Sequence, residues 1–178
     1  ENLAVIKAEN RALTASIFKT CALQDKADEE GADEETKLLL RLLANLNKYL
    51  SALWSVNHIH HSLDVLAGNG AIESFSAIPR LLRDSIVCEN WEGTHNTLRM
   101  QIQRDIAKYQ IDRIFFKNIE IEDSSLKGEP EKIQQLISNL DKKPLNIKQI
   151  VDRMGILYAA VSLYEEAKTS ERKREIYE

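Results

Sequence analysis

A short stretch with the sequence WEGTHN, residues 91–96, holds the residues best suited to chemistry. Thr94 has the side chain and the position of a helix N-cap, so the turn after it should present unpaired N–H groups and a positive dipole end. Such a helix start can hold a phosphate or another anion. Glu92 lies just outside it, next to Trp91. A carboxylate held there in a dry slot beside Trp91 could act as a base near neutral pH, or Glu92 could simply be an acid that favours the helix dipole.

A second stretch with unusual backbone chemistry precedes the first, LAGNG at residues 66–70. Two glycines around one asparagine end a helix and let the main chain come close to another body. Between the two stretches, an amphipathic helix over about residues 78–88 carries the pair Arg83-Asp84. Together with Arg80, that pair could bind an anion, but local salt bridges that fix the short helix to its neighbours are the simpler interpretation.

In this order and at this spacing, LAGNG, Arg83-Asp84 and the aromatic-Glu-Gly-Thr motif resemble the C-terminal helical domain of the acyl-CoA dehydrogenase family. The resemblance covers about residues 1–105. The tryptophan before the glutamate and the His95-Asn96 pair after the threonine are more similar to the branch that contains the alkylation-response flavoproteins than to the short-chain or medium-chain enzymes.

The resemblance implies a role for each residue around the Glu92 turn. Glu92 would remove the α-proton of an acyl-CoA thioester while the β-hydrogen leaves as hydride to FAD. Trp91, Glu92 and Gly93 would contact the substrate, with the N–H of Glu92 donating to the thioester oxygen. Thr94 and Asn96 would contact FAD. The function expected is therefore that of a CH–CH oxidoreductase.

For the glycine stretch, the resemblance implies that Asp64, Ala67 and Gly68 contact the FAD of an adjacent subunit. The whole protein would then be a homo-oligomer, a dimer or a tetramer, that passes electrons to electron-transfer flavoprotein or a similar acceptor. Two residues depart from the family pattern, since Asp64 stands where the family usually has Gln and Ala67 where it usually has Gly. The family's N-terminal domains would precede Glu1, so this piece alone should not catalyse.

Two other functions stay open. An alkylation-response flavoprotein with a DNA-related role would need a basic surface. The net charge of −4 argues against nucleic-acid binding, and the basic run Arg172-Lys173-Arg174 has acidic neighbours. The other alternative is a helical interaction domain that does not catalyse.

Metal binding is not expected. His58, His61 and Asp64 recur at steps of three on one predicted helix, a spacing compatible with zinc. The stretch offers no cysteine and no second pair of ligands on another helix, so polar packing is the better interpretation. The acid-rich residues 25–35 do not match a Ca²⁺ loop and indicate a solvated turn.

Helices must position all of these residues. Only six glycines and three prolines occur among 178 residues, and apolar residues recur at helical steps, so we expect an all-α, up-down helical bundle. The second helix should run from an N-cap at Asp33 to Leu66 and be covered on two sides. The first helix should bury one stripe, made of Leu3, Ile6, Leu13, Ile17 and Cys21. Residues 1–110 should form the bundle, truncated at its N-terminus, and residues 111–178 extra C-terminal helices that pack on it.

The cysteine pattern bears on the compartment. Cys21 and Cys88 form neither a metal spacing nor a disulfide framework, which favours a reduced compartment, the cytoplasm or the mitochondrial matrix. No apolar run is long enough for a membrane span.

Overall fold

A computed structural model describes residues 1–169, which form seven α-helices and no strand. The helices are α1 (Asn2–Ala27), α2 (Glu34–Leu66), α3 (Ile78–Asn90), α4 (His95–Tyr109), α5 (Ile111–Asn118), α6 (Glu129–Ser138) and α7 (Asn146–Ala167), with a 3₁₀ helix, Ala67–Ala71, after α2. The predicted all-α fold class is confirmed.

Contacts between the long helices define the topology. Glu9 pairs with His58 and Ser16 with Asn47, so residue numbers rise along α1 as they fall along α2, and the two helices are antiparallel. In the same way, α4 runs antiparallel to α2, since Arg41 bonds Asp105 and Tyr49 bonds Arg99. Helix α7 also runs antiparallel to α2, because Asp152 bonds Tyr49 whereas Tyr158 lies nearer the start of α2, beside Leu39 and Leu43. The chain therefore runs up through α1, down through α2 and up through α4, and α7 has the direction of α1 and α4.

The hydrophobic core centres on α2 and α7. Leu46 and Tyr49 of α2 and Ile150 and Met154 of α7 have no exposed surface. Helix α2 is covered by α1 on one side and by α4 and α7 on others, as its apolar residues around the helix predict. Because one core cluster draws on α1, α2, α4, α5, α6 and α7, the buried core includes residues on both sides of position 110. The division at residue 110 stays a prediction.

Local sequence signals set the starts of two long helices. Asp33 is the N-cap of α2, and its carboxylate accepts a hydrogen bond of 2.7 Å from the N–H of Thr36. Thr94 is the N-cap of α4, and its hydroxyl oxygen accepts one of 3.4 Å from the N–H of Thr97. Both caps are predicted from the sequence and confirmed, because an N-cap depends only on residues within one turn.

The predicted buried stripe of α1 is wrong at three of its five residues and right at Leu13. Leu3, Ile17 and Cys21 are exposed, whereas the buried face carries polar residues together with Leu13. Ser16 donates to Asn47 of α2 at 2.8 Å, and the hydroxyl of Thr20 lies 3.0 Å from that of Tyr158 on α7. Hydrogen bonds to neighbouring helices turn this face inward, since a buried polar group needs a partner and these two have one.

Candidate functional site

The turn that joins α3 to α4 has an unusual backbone. Glu92 has φ +58° and Gly93 has φ +120°, so two successive residues lie in the left-handed region. A Cβ on Gly93 would meet Thr97 and Leu98 at ordinary contact distances of 3.5 Å, so space does not exclude a side chain there. The backbone angle does, because side-chain-bearing residues rarely adopt it. For Glu92 the same angle is strained, and strain of this kind is concentrated at functional sites. The spacing of residue types in the sequence does not reveal the positive φ of Glu92.

The turn projects from the surface of this chain. Trp91 is 69 % exposed, Glu92 is also exposed, and the Glu92 carboxylate has no hydrogen-bond or ion-pair partner within residues 1–169. The dry slot expected around Glu92 and Trp91 is therefore not formed by the described residues. The physical reason is that the helices of the bundle all lie on the inner side of the turn, and its outer side faces solvent.

The start of α4 retains the donors expected of an anion site. Thr94 caps the helix, and the N–H groups of His95 and Asn96 in its first turn have no acceptor within the helix. Asn96 is exposed, and its Oδ1 accepts a hydrogen bond of 3.1 Å from Nη1 of Arg99. An exposed helix N-terminus with a polar side chain on it fits a dinucleotide phosphate in charge and in donor type.

A buried polar cluster that the sequence interpretation missed lies beneath this helix start. The hydroxyl of Tyr49 donates to Oδ1 of Asp152 at 2.5 Å and accepts from Arg99 through Nη2 at 2.6 Å and Nε at 3.2 Å. The guanidinium carbon of Arg99 lies 5.0 Å from the centroid of the Tyr49 ring. Burial, followed by the hydrogen bond to Asp152, raises the pKa of Tyr49 to about 12. The hydroxyl is therefore a neutral donor at physiological pH.

His95 borders the same cluster. Its ring meets the edge of Tyr49, with centroids 5.0 Å apart, and its Nε2 is buried without a partner among the described residues. Burial lowers the pKa of His95, although the carboxylate of Glu89, 3.8 Å away, acts in the opposite direction. The ring of His95 is thus packed as part of the floor of the turn.

The glycine stretch forms the 3₁₀ helix, which packs closely against α2. A Cβ on Gly70 would lie 2.7 Å from the backbone oxygen of Leu63 and 3.0 Å from its Cα, so only glycine allows this approach. Ala67 has φ 49° and ψ −142°, a conformation that suits the glycine found there in the resembling family. Asp64, Ala67 and Gly68 are exposed, and no atom lies within 4 Å of a Cβ built on Gly68. An exposed backbone with open space beside it fits the close approach of a cofactor.

The structure does not bring the two sets of predicted site residues together. Ala67 and Gly68 precede α3, whereas Glu92 and Thr94 follow it, and its 13 residues span about 20 Å. Each set therefore forms its own patch on this chain.

Other candidate sites are accounted for by local contacts. Arg83 forms an ion pair with Glu73 in the loop before α3, so the predicted local salt bridge is confirmed. His58 is buried and bonds Glu9 at 2.5 Å. Within residues 1–169, no group of three His, Cys, Asp or Glu side chains could hold a metal ion, and no helix is long and apolar enough to cross a membrane. The basic run at residues 172–174 lies outside the described residues.

Comparison with known proteins agrees with the bundle and the turn. Residues 1–107 match the family model described as acyl-CoA dehydrogenase, C-terminal domain. The fold and the aromatic-Glu-Gly-Thr turn thus define a helical domain of the acyl-CoA dehydrogenase type. Because the match covers more than half of its length, the chain belongs to the acyl-CoA dehydrogenase family.

Individual relatives extend the similarity beyond residue 107. Acyl-CoA dehydrogenase family member 11 of Caenorhabditis elegans is 26 % identical over 148 residues, which cover 79 % of this chain and 24 % of that protein. The solved structure of Bd2924 in its apo form has a TM-score of 0.80 at 27 % identity and covers 90 % of this chain and 32 % of its own.

Caenorhabditis elegans ACDH-11, solved in complex with C11-CoA, shares the fold, with a TM-score of 0.77 at 21 % identity over 99 % of this chain and 34 % of its own. The chain therefore spans about a quarter to a third of the length of these relatives.

Proposed function

We propose that this chain is the C-terminal helical domain of a flavin-dependent acyl-CoA dehydrogenase-like oxidoreductase that introduces a double bond between the α and β carbons of an acyl-CoA thioester. The observation that carries the proposal is the conformation of Glu92, held at positive φ in the turn that leads into the α4 N-terminus. The family membership of residues 1–107 and the C11-CoA bound to ACDH-11 support an acyl-CoA as the substrate.

Glu92 acts as the base in this proposal. Its carboxylate takes the α-proton of the thioester, and the backbone N–H of Glu92 donates to the thioester oxygen as negative charge develops there. Bound FAD supplies the acceptor for the hydride that leaves the β-carbon. Trp91 offers an exposed indole as one wall for the acyl chain, with Gly93 beside it. The exposed carboxylate and indole require a cover from the rest of the protein, because a base for a weakly acidic proton must be shielded from water.

Two patches of this chain would hold flavin. Thr94 and Asn96 would bind the phosphate-containing half of FAD at the α4 N-terminus. Asp64, Ala67 and Gly68, about 20 Å away along α3, would contact the FAD of an adjacent subunit. Separation of the patches on one chain supports a homo-oligomer, a dimer or a tetramer, in which each FAD lies between two chains.

The remaining assignments follow from the same proposal. Electron-transfer flavoprotein or a similar acceptor would reoxidise the flavin, and the protein would act in the cytoplasm or the mitochondrial matrix. The free thiols of Cys21 and Cys88 agree with a reduced compartment.

The test compares three forms of the full-length protein, namely the wild type, Glu92→Gln and the control Glu89→Gln, which removes a neighbouring carboxylate. We expect all three to purify with bound flavin. Acyl-CoA should bleach the flavin of the wild type and of Glu89→Gln, and the Glu92→Gln flavin should bleach at least about a hundredfold more slowly.

Two results would contradict the proposal. Equal bleaching of Glu92→Gln and the wild type would remove Glu92 as the base. A wild type that neither purifies with FAD nor binds it would leave a helical interaction domain that does not catalyse.

A further inference from the structure

Two neighbouring residues of α2 hold the two flanks of the Glu92 turn. The ammonium of Lys48 donates a 2.7 Å hydrogen bond to the carbonyl of Cys88 in the last turn of α3. The hydroxyl of Tyr49 accepts from Arg99 in the second turn of α4. The rigid central helix of the bundle thus contacts the chain immediately before and after the turn.

On the α4 side, the contact continues to a residue of the proposed flavin site. Asp152 of α7 accepts from the Tyr49 hydroxyl at 2.5 Å, and Arg99 donates to that hydroxyl through Nε and Nη2. The remaining guanidinium nitrogen, Nη1, donates to Oδ1 of Asn96 at 3.1 Å. Because the guanidinium is planar and rigid, fixing two of its nitrogens on Tyr49 fixes the direction of the third.

We propose that Tyr49 is a positioning residue for flavin binding, which acts through Arg99 to hold Asn96 and the first turn of α4 in the conformation that receives the cofactor. The inference rests on the proposed function, since it takes Asn96 as a contact to FAD. Tyr49 itself is fully buried and does not reach the surface of the turn.

The chemistry of the cluster favours positioning over packing alone. Without the hydroxyl, Arg99 loses both of its hydrogen bonds to Tyr49, and its side chain, which is partly exposed, can turn toward solvent. Asn96 would then lose the donor that orients its amide group. The affinity for the cofactor should then fall, because the first turn of α4 would populate several conformations and only one of them binds FAD.

Tyr158 provides a matched control within the same core. It is also buried, and burial raises its pKa to about 12, as for Tyr49. Its hydroxyl lies 3.0 Å from that of Thr20, so it joins α7 to α1 rather than to α4. Tyr158→Phe therefore removes one buried hydroxyl, as Tyr49→Phe does, at a position unconnected with the turn.

The first measurement is FAD affinity in the full-length protein. We expect Tyr49→Phe to raise the Kd for FAD about tenfold, the equivalent of one hydrogen bond to a charged group, and Tyr158→Phe to change it by less than about twofold. In a double-mutant cycle, Tyr49→Phe should add little to Asn96→Ala, because both changes remove the same contact.

The second measurement is amide hydrogen exchange in the 178-residue chain, which does not depend on FAD. The N–H of Thr97 bonds the Thr94 hydroxyl, and that of Leu98 bonds the Thr94 carbonyl at 3.0 Å, so both report on the first turn of α4. Tyr49→Phe should speed their exchange about tenfold relative to Tyr158→Phe. If Tyr49→Phe does not fold, Arg99→Lys replaces it, since a lysine cannot reach Tyr49 and Asn96 at once and should give the same two shifts.

The possible outcomes separate this inference from the proposed function. If the wild type binds FAD and Tyr49→Phe binds it equally tightly, or if Tyr158→Phe weakens it as much, the positioning role is wrong while the proposed function stands. If the wild-type full-length protein binds no FAD, the proposed function fails and the inference fails with it.

Discussion

A change at Gly70 tests the docking of the glycine stretch on α2. In Gly70→Ala, the new Cβ would lie 2.7 Å from the backbone oxygen of Leu63 and 3.0 Å from its Cα. Both atoms belong to the backbone of a long helix and cannot rotate away, so the 3₁₀ helix must move off α2. We expect a loss of about 2 kcal/mol in the free energy of unfolding, as for other overpacked sites, and a fall in Tm of about 4–8 °C for a chain of this size.

The assay is thermal and urea unfolding of the 178-residue chain, followed by helical circular dichroism. Gly68→Ala is the matched control, because it lies in the same 3₁₀ helix with nothing within 4 Å of its added Cβ. The control should change stability by less than about 0.5 kcal/mol. Equal stability of the two variants would show that the 3₁₀ helix does not approach Leu63 as described.

Three further predictions concern strain, pH and a buried charge. Ala67→Gly should raise the unfolding free energy by about 1 kcal/mol, because it relieves a positive φ at a small entropic cost, and an unchanged urea midpoint would contradict it. The folded-state pKa values of Tyr49 and Tyr158, about 12 against an ordinary value of 10.0, mean that their contribution to stability is complete below pH 10 and is lost as the pH rises toward 12. An alkaline urea series should show that loss, and Tyr49→Phe should make it shallower; equal slopes would refute the assignment. Arg41→Ala should cost about 1–3 kcal/mol, more than Asp105→Asn, since it leaves the 4 % exposed Asp105 carboxylate without its half-exposed cation, and the reverse order in urea unfolding would count against this ion pair.

The parts of the fold that the sequence predicts are those set by short-range signals. Asp33 and Thr94 cap their helices through hydrogen bonds to residues three positions on, so the cap residue and the helix start are visible together in the sequence. The long apolar α2 likewise predicts cover on two sides. Helix α5 is missed because its eight residues follow α4 directly, with Gln110 in the left-handed region and neither Gly nor Pro to mark the break.

The buried face of α1 depends on other helices and is therefore beyond sequence periodicity. Apolar spacing places Ile17 and Cys21 inside, yet both are exposed. Ser16 and Thr20 face the core because Asn47 and Tyr158 offer them hydrogen bonds. A single chain gives no sign of such partners, since they lie 31 and 138 positions away.

In the candidate site too, residues set by local sequence signals are predictable and residues that depend on distant partners are not. The motif around Glu92 and the cap at Thr94 are local and were predicted, although their roles stay predictions. Tyr49 was missed because it lies within an apolar run of α2, and its partners Arg99 and Asp152 are 50 and 103 positions away. The described residues 1–169 leave Glu92 and Trp91 exposed and do not form the expected dry slot.

The most direct measurement of the central claim is solvent exchange of the α-proton, which isolates the proposed step of Glu92 from hydride transfer. The full-length protein is incubated in D₂O with an acyl-CoA, and deuterium at the α-carbon is followed by NMR. We expect the wild type and Glu89→Gln to incorporate deuterium, and Glu92→Gln to do so about 10²–10⁴-fold more slowly. Incorporation at the wild-type rate in Glu92→Gln would contradict the account.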